Sequence, residues 1–248
     1  MLSALFSWIL RPHPVVFSLG SLTLYTHALF FALGAEVSLL MATFLARTTK
    51  LSDEKVGGWI LTIFVTGLVA ARLGYFISYP SQFQDVSQVL AIWQGGLVSY
   101  FGLAGGIGVA FWLLRGMSAA ERWRWLDILC VAALAGWAVG RIGNYYAADS
   151  VGVASTWWSV FYGRVPIQLF ESVLTLILAF SGWQWWGRFK PGGLAVLLSA
   201  GYLAGRFIID MWRDESTAGP LHLSQWVCLL AVILLIPLIL RRVRPAAS

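Results

Sequence analysis

The chain has 248 residues, 59% of them hydrophobic and only 11% charged, with a mean hydropathy of +0.76. A water-soluble domain of this length needs far more polar surface to cover one core, so the composition excludes that class and predicts a polytopic membrane protein. The net charge of +6 comes from basic residues in short loops between apolar runs, which makes it a topology signal and gives no reason to expect nucleic acid.

The stretch Met1 to Leu10 is apolar but has no basic leader and no small-residue cleavage site. It predicts an uncleaved segment, residues 1–15, lying along the membrane interface, with Arg11-Pro12-His13-Pro14 turning the chain into the first span. A span needs roughly 20 mostly apolar residues. Seven stretches meet or approach this: Leu22–Ala46, Val56–Tyr79, Leu97–Leu114, Leu126–Tyr146, Gln168–Trp186, Gly193–Trp212 and Leu223–Leu240. Gly and polar residues dilute the third and fifth. The expected fold is therefore all-α, a single membrane domain with a seven-helix bundle over residues 22–240.

With the N-terminus outside, eleven loop and tail arginines and lysines fall inside: Arg47, Lys50, Lys55, Arg115, Arg122, Arg124, Arg188, Lys190, Arg241, Arg242 and Arg244. Only Arg11, Arg164 and Arg213 fall outside. That bias predicts an external N-terminus and a cytoplasmic tail. The remaining basic residues, Arg72, Arg141 and Arg206, lie within spans two, four and six. Each costs roughly 2.5–3.5 kcal/mol at a helix centre on insertion scales, so function or pairing accompanies it. In this topology all three lie roughly 7–11 Å below the outer boundary at about 1.5 Å per residue.

A small-xxx-small pair precedes each arginine: Gly67/Ala71, Gly136/Gly140 and Gly201/Gly205. Such pairs let helix backbones approach closely, and ordinary packing is the simpler reading of the glycines alone. His27, Tyr100, Glu171, Asn144 and Asp149 fall on the same side of the membrane as the arginines, and Asp210 stands at i+4 from Arg206. Glu36, mid-span, and Asp127, at an inner helix end, are expected to serve structural pairs. Cys130 and Cys228 lie inside apolar runs, and His13, His27 and His222 lack metal-ligand spacing, so no metal and no disulfide are expected. Several arginines around an outward-facing cavity suit an anion at head-group depth, because Arg donors match phosphate geometry.

Gly140-Arg-Ile-Gly-Asn-Tyr-Tyr-Ala-Ala-Asp149 resembles the signature of the bacterial prolipoprotein diacylglyceryl transferases, G-R-[IL]-G-N-F-x-N-x-E. Pro14 to Gly20, Arg72-Leu-Gly-Tyr, Trp93-Gln-Gly-Gly96, Val165 to Glu171, Gly205 to Arg213 and Leu223-Ser-Gln-Trp226 resemble further family segments in the same order. The resemblance implies seven helices and a reaction without cofactor. In it, the diacylglyceryl group of phosphatidylglycerol passes to the cysteine thiol of a prolipoprotein lipobox at the bacterial inner membrane, releasing glycerol 1-phosphate. It implies Arg141 and Arg206 as the essential arginines, with Arg72, Asn144, Gln168, Glu171, Asp210 and Gly102 binding substrate. The family tyrosine of span one is His27 here, and the family histidine of span three is Tyr100. These positions predict an exchanged His–Tyr pair, with His27 as base or lipid orienter and Tyr100 as its partner. Ala147, Asp149, Val165 and Ile167 also replace family residues. The rival readings are a paralogue moving a lipid moiety or head group to another acceptor, a silent lipid-binding accessory subunit, and a small transporter.

Overall fold

The computed structural model describes residues 10–20, 22–49, 51, 54–83, 85–90, 96–149, 151–157 and 162–244. Residues 1–9 of the predicted interfacial segment 1–15, and Trp93 to Gly95 of the family-like segment, lie outside the described residues.

Among these residues the chain forms seven α-helices: α1 Thr26–Thr48, α2 Val56–Ser78, α3 Ser99–Leu113, α4 Ala119–Tyr146, α5 Ile167–Gln184, α6 Gly193–Ile209 and α7 Leu223–Arg242. The protein is an all-α polytopic membrane protein. Six helices are long and apolar enough to cross a membrane, α6 counting with the 3-10 turn Asp210–Trp212 that continues it. Helix α3, with 15 residues, is about 22 Å long against a hydrocarbon core of about 30 Å. It lacks Leu97, Val98 and Leu114 of the predicted span.

The first span also starts later than the apolar run. Leu22–Tyr25 is strand β2, paired antiparallel with β1, Val15–Leu19, across a turn at Gly20. Gly20 has φ +60°, the left-handed conformation that favours glycine. The flanking β-branched and aromatic residues suit extended backbone. A second small hairpin pairs β3, Thr217–Ala218, with β4, Leu221–His222.

The contacts divide the chain into two compact units, one of residues 1–42 with 123–248, the other of residues 43–122. In the first, α4 is the central helix: 61% of its apolar span is buried, against 17% for α1 and α7. The predicted glycine pair on α4 packs closely. A Cβ at Gly136 would strike the Gly34 carbonyl and Ser38 Oγ on α1, and Ser38 Oγ donates to the Ala132 carbonyl at 3.0 Å. Gly201 and Gly205 on α6 face Leu178 and Leu174 on α5. In the second unit, Gly67 and Ala71 on α2 receive Gly102 on α3, where a Cβ would lie 3.1 Å from both the Gly67 carbonyl and Ala71 Cβ. All three pairs are helix-packing surfaces, the simpler of their two readings.

Asp127 has the structural role expected of it, although its partners are main-chain groups. Its carboxylate accepts from the backbone N–H of Gly192 and of Ala195, both at 2.8 Å, at the start of α6. An acid there satisfies donors that the helix leaves open and meets the positive end of its dipole. Glu36 corrects the other expectation. It is exposed on α1 and makes no ion pair with any described residue, because its helix face is turned away from the α4 contact that buries Gly34.

Candidate functional site

Glu171, fully buried on α5, gathers the polar residues of the first unit. Its Oε1 accepts from Trp137 Nε1 and from the Tyr202 hydroxyl, each at 2.8 Å. Its Oε2 pairs with Arg206 Nη1 and stands 2.8 Å from Arg141 Nε. The donors arrive as two helical i, i+4 couples, Trp137/Arg141 on α4 and Tyr202/Arg206 on α6. The carboxylate thus ties three helices together through four side chains.

Arg206 also donates Nε to Asp210 Oδ2 at 3.1 Å, and Asp210 Oδ1 accepts from Arg213 Nε at 3.1 Å. Arg213 continues to Glu215 at 2.6 Å. Asp210 is fully buried and Arg213 is 7% exposed, so this chain of charges lies largely out of solvent. Each ion there would be costly alone and is tolerable because its neighbours are paired.

Arg141 differs from the other two. It is 6% exposed, and its ion pair with Glu171 lacks hydrogen-bond alignment at Nε, while Nη2 has no hydrogen-bond partner among the described residues. A buried guanidinium with unused N–H groups is suited to receive an anionic oxygen.

One turn along α4, Asn144 donates Nδ2 to Asp149 Oδ2 at 2.9 Å, and the Asp149 N–H donates to the Asn144 carbonyl at 3.0 Å. Gln168, at the start of α5, donates Nε2 to the Asp149 carbonyl at 2.7 Å. Burial raises the Tyr162 phenol above its ordinary value, opposed by a hydrogen bond from the Gln168 side chain and by the Arg164 charge. Arg141, Asn144, Gln168, Glu171, Arg206 and Asp210 therefore converge at one end of the first unit.

His27 belongs to the same unit. It lies in the first turn of α1, half-buried, with its ring 5.6 Å from that of Tyr25 and 6.3 Å from that of Phe31. A Cβ at Gly143, the neighbour of Asn144, would come within 3.4 Å of His27 Cα. Tyr100, Arg72 and Gly102 belong to the second unit. Tyr100 lies in the first turn of α3 and is 43% exposed. Gly102 packs on α2 as described above. Arg72 donates Nε to the Val89 carbonyl, Nη1 to Gly96 and Nη2 to Gln88, at 3.1, 3.2 and 2.6 Å.

Sequence reasoning missed Trp137, Tyr202 and Arg213. Their signal was spacing: an aromatic donor one turn before Arg141 and before Arg206, and an arginine three residues after Asp210. Val165 and Ile167, which stand in place of polar family residues, form an apolar cluster with Ile209, Phe170 and Leu174.

A model of the prolipoprotein diacylglyceryl transferase family matches residues 14–241. The chain belongs to this family. Among curated members it is similar to the phosphatidylglycerol–prolipoprotein diacylglyceryl transferase of Chloroherpeton thalassium, 26% identical over 94% of this chain and 93% of the relative. The enzyme of the same name from Thermosynechococcus vestitus is 28% identical over 87% of each chain. That of Streptococcus equi subsp. zooepidemicus is 27% identical over 94% of this chain and 96% of its own length. For this member of the family, the Glu171-centred cluster is the candidate active site.

Proposed function

We propose that this protein transfers the diacylglyceryl group of phosphatidylglycerol to the cysteine thiol of a prolipoprotein lipobox, in the bacterial inner membrane. The observation that carries this reading is the buried Arg141 guanidinium with an unused Nη2, held beside Arg206 by one carboxylate. In the reaction a C–S bond forms between the cysteine sulfur and the terminal glyceryl carbon of the diacylglyceryl group. The bond from that carbon to the phosphate oxygen breaks, and glycerol 1-phosphate leaves with the bonding pair. Negative charge therefore grows on the phosphate as the bond breaks. Arg141 and Arg206 stabilise that charge in a site from which water is largely excluded, where preorganised donors act most strongly. Asn144, Gln168, Glu171 and Asp210 hold the arginines and the head group. The thiol proton goes to a base; His27 is assigned that role, since an imidazole can accept it near neutral pH.

The eleven-to-three distribution of loop arginines and lysines supports an external N-terminus, which places this site at the outer face. In a variant lacking Cys130 and Cys228, a cysteine at Thr217 should react with a membrane-impermeant thiol reagent from outside, and one at Lys55 should not; the reverse pattern overturns the orientation. The activity test uses the purified full chain, phosphatidylglycerol labelled in the acyl chains, and a lipobox peptide. Label in the peptide with release of glycerol 1-phosphate supports the transferase. Release of a soluble head group without peptide labelling overturns the prolipoprotein acceptor, and binding without turnover overturns the enzyme.

A further inference from the structure

The two ends of the first unit carry different chemistry. Helix α4 has Trp123 and Arg124 near its start and Arg141 near its other end. Along the axis Arg124 and Arg141 are about 25 Å apart, at about 1.5 Å per residue. One lipid head group cannot serve both ends.

Four exposed cations gather at the Trp123 end from two separate segments. Arg188 and Lys190 lie between α5 and α6, while Arg241 and Arg244 lie at the end of α7. None of the four makes an ion pair with a described residue. Arg244 donates Nε to the Leu240 carbonyl at 3.3 Å, an uncharged acceptor that leaves its charge unbalanced. Asp127, the acid at this end of α4, is buried, and both its oxygens are engaged by the Gly192 and Ala195 N–H groups.

The fold holds these segments together. The Lys190 N–H donates to the Arg244 carbonyl at 3.1 Å. Arg242 donates Nη1 to the Pro191 carbonyl at 3.1 Å and sets its guanidinium 4.2 Å from the centre of the Trp123 ring. A Cβ at Gly193 would lie 2.5 Å from the Arg242 carbonyl, so the α7 end packs directly on the start of α6. Like charges brought together repel. A fold that assembles four of them without an available acid is suited to a counter-charge supplied from outside.

Position gives the chemistry of that counter-charge. Helices α5 and α7 are apolar enough to cross a membrane. At the end of α5, Trp183 and Trp185 are 45% and 37% exposed. Tryptophan is enriched where spans pass through the head-group layer, and Arg188 and Lys190 follow Trp185 by three and five residues. We propose that Arg188, Lys190, Arg241 and Arg244 form a binding surface for anionic phospholipid head groups, separate from the Glu171 cluster. Arginine and lysine both donate charge-assisted bonds to phosphodiester oxygens. Each basic side chain near an anionic surface contributes about fivefold in affinity, so several together favour anionic over zwitterionic lipid. This surface goes beyond the transfer reading and does not depend on it.

The test places the full chain in phosphatidylcholine nanodiscs carrying a small share of photoreactive phosphatidylserine or, in parallel, photoreactive phosphatidylcholine. Peptide mapping then locates the crosslinks. Phosphatidylserine should label the peptides around residues 183–190 and 240–244 about tenfold or more above phosphatidylcholine. Salt at about 1 M, which shortens the screening length from about 8 Å to about 3 Å, should remove most of that preference. Lys190→Gln should cut the preference about fivefold, while Lys190→Arg keeps it. Equal labelling by the two lipids overturns the proposal, and so does a preference that Lys190→Gln leaves unchanged. Phosphatidylserine crosslinks confined to the Glu171 end overturn it as well, and leave the transfer reading standing.

Discussion

Arg141 and Arg206 in the first unit and Arg72 in the second share a residue type, a preceding small-residue pair and a similar distance from a helix end. Their surroundings differ in kind. Arg72 gives its guanidinium to three backbone carbonyls of the segment that follows α2, and its charge also lies 5.0 Å from the Phe83 ring centre. Carbonyl acceptors on a loop hold that loop against its helix, so this arginine organises its own chain. Arg141 and Arg206 instead meet carboxylates on other helices, and Arg141 keeps a donor unused. An arginine held by an acid is aimed without its donors being exhausted. The lesson is that intramembrane charge marks a place where something must be paired, while the partner's identity separates fold from chemistry.

The largest effect expected from this contrast is on transfer. Arg141→Ala and Arg206→Ala should each reduce turnover by roughly 10²–10³-fold or more, as loss of a preorganised charge-stabilising donor does. Arg206→Lys should also be poor, because one ammonium cannot reproduce separate bonds to Glu171 and Asp210. Wild-type rates in either alanine variant would remove these arginines from the chemistry. A smaller loss, roughly 10²-fold as for a general base, is expected for His27→Ala, with His222→Ala within a few-fold of wild type. His27 stands by Gly143 at the site, while His222 sits at the start of α7. Equal rates in the two histidine variants would end the assignment of the base to α1.

Arg72→Ala tests the other side of the contrast. It should lower stability in detergent by roughly 1.5–3 kcal/mol, the worth of hydrogen bonds to a charged donor, and slow transfer far less than Arg141→Ala does. Transfer lost to the same degree, with the protein still folded, would erase the distinction between the two regions. The smallest effect belongs to Asp127→Ala, which removes two bonds to the start of α6. About 1 kcal/mol of stability should be lost, the usual worth of a helix cap, with no change in substrate affinity; a changed KM would show that the inner end of α4 is coupled to the site.

The sequence by itself determined the membrane class, the helices and part of the cluster, Arg141, Asn144, Gln168, Glu171, Arg206 and Asp210, but not Trp137, Tyr202 or Arg213. Hydrophobic runs register the cost of placing backbone and side chains in lipid, which acts on each span separately, so the runs predict the helices closely. Helix starts were less legible where extended backbone takes over, as at Leu22–Tyr25. Asp210 was legible because its partner Arg206 is four residues away on the same helix. Glu171 as the centre was not, since its four donors come from positions 30 to 35 residues distant. Only the tertiary structure decided that Arg72 holds a loop, that Glu36 is left exposed, and that Asp149 accepts from two amides. Those outcomes depend on which atoms meet across separate elements, and one-dimensional periodicity does not carry that information.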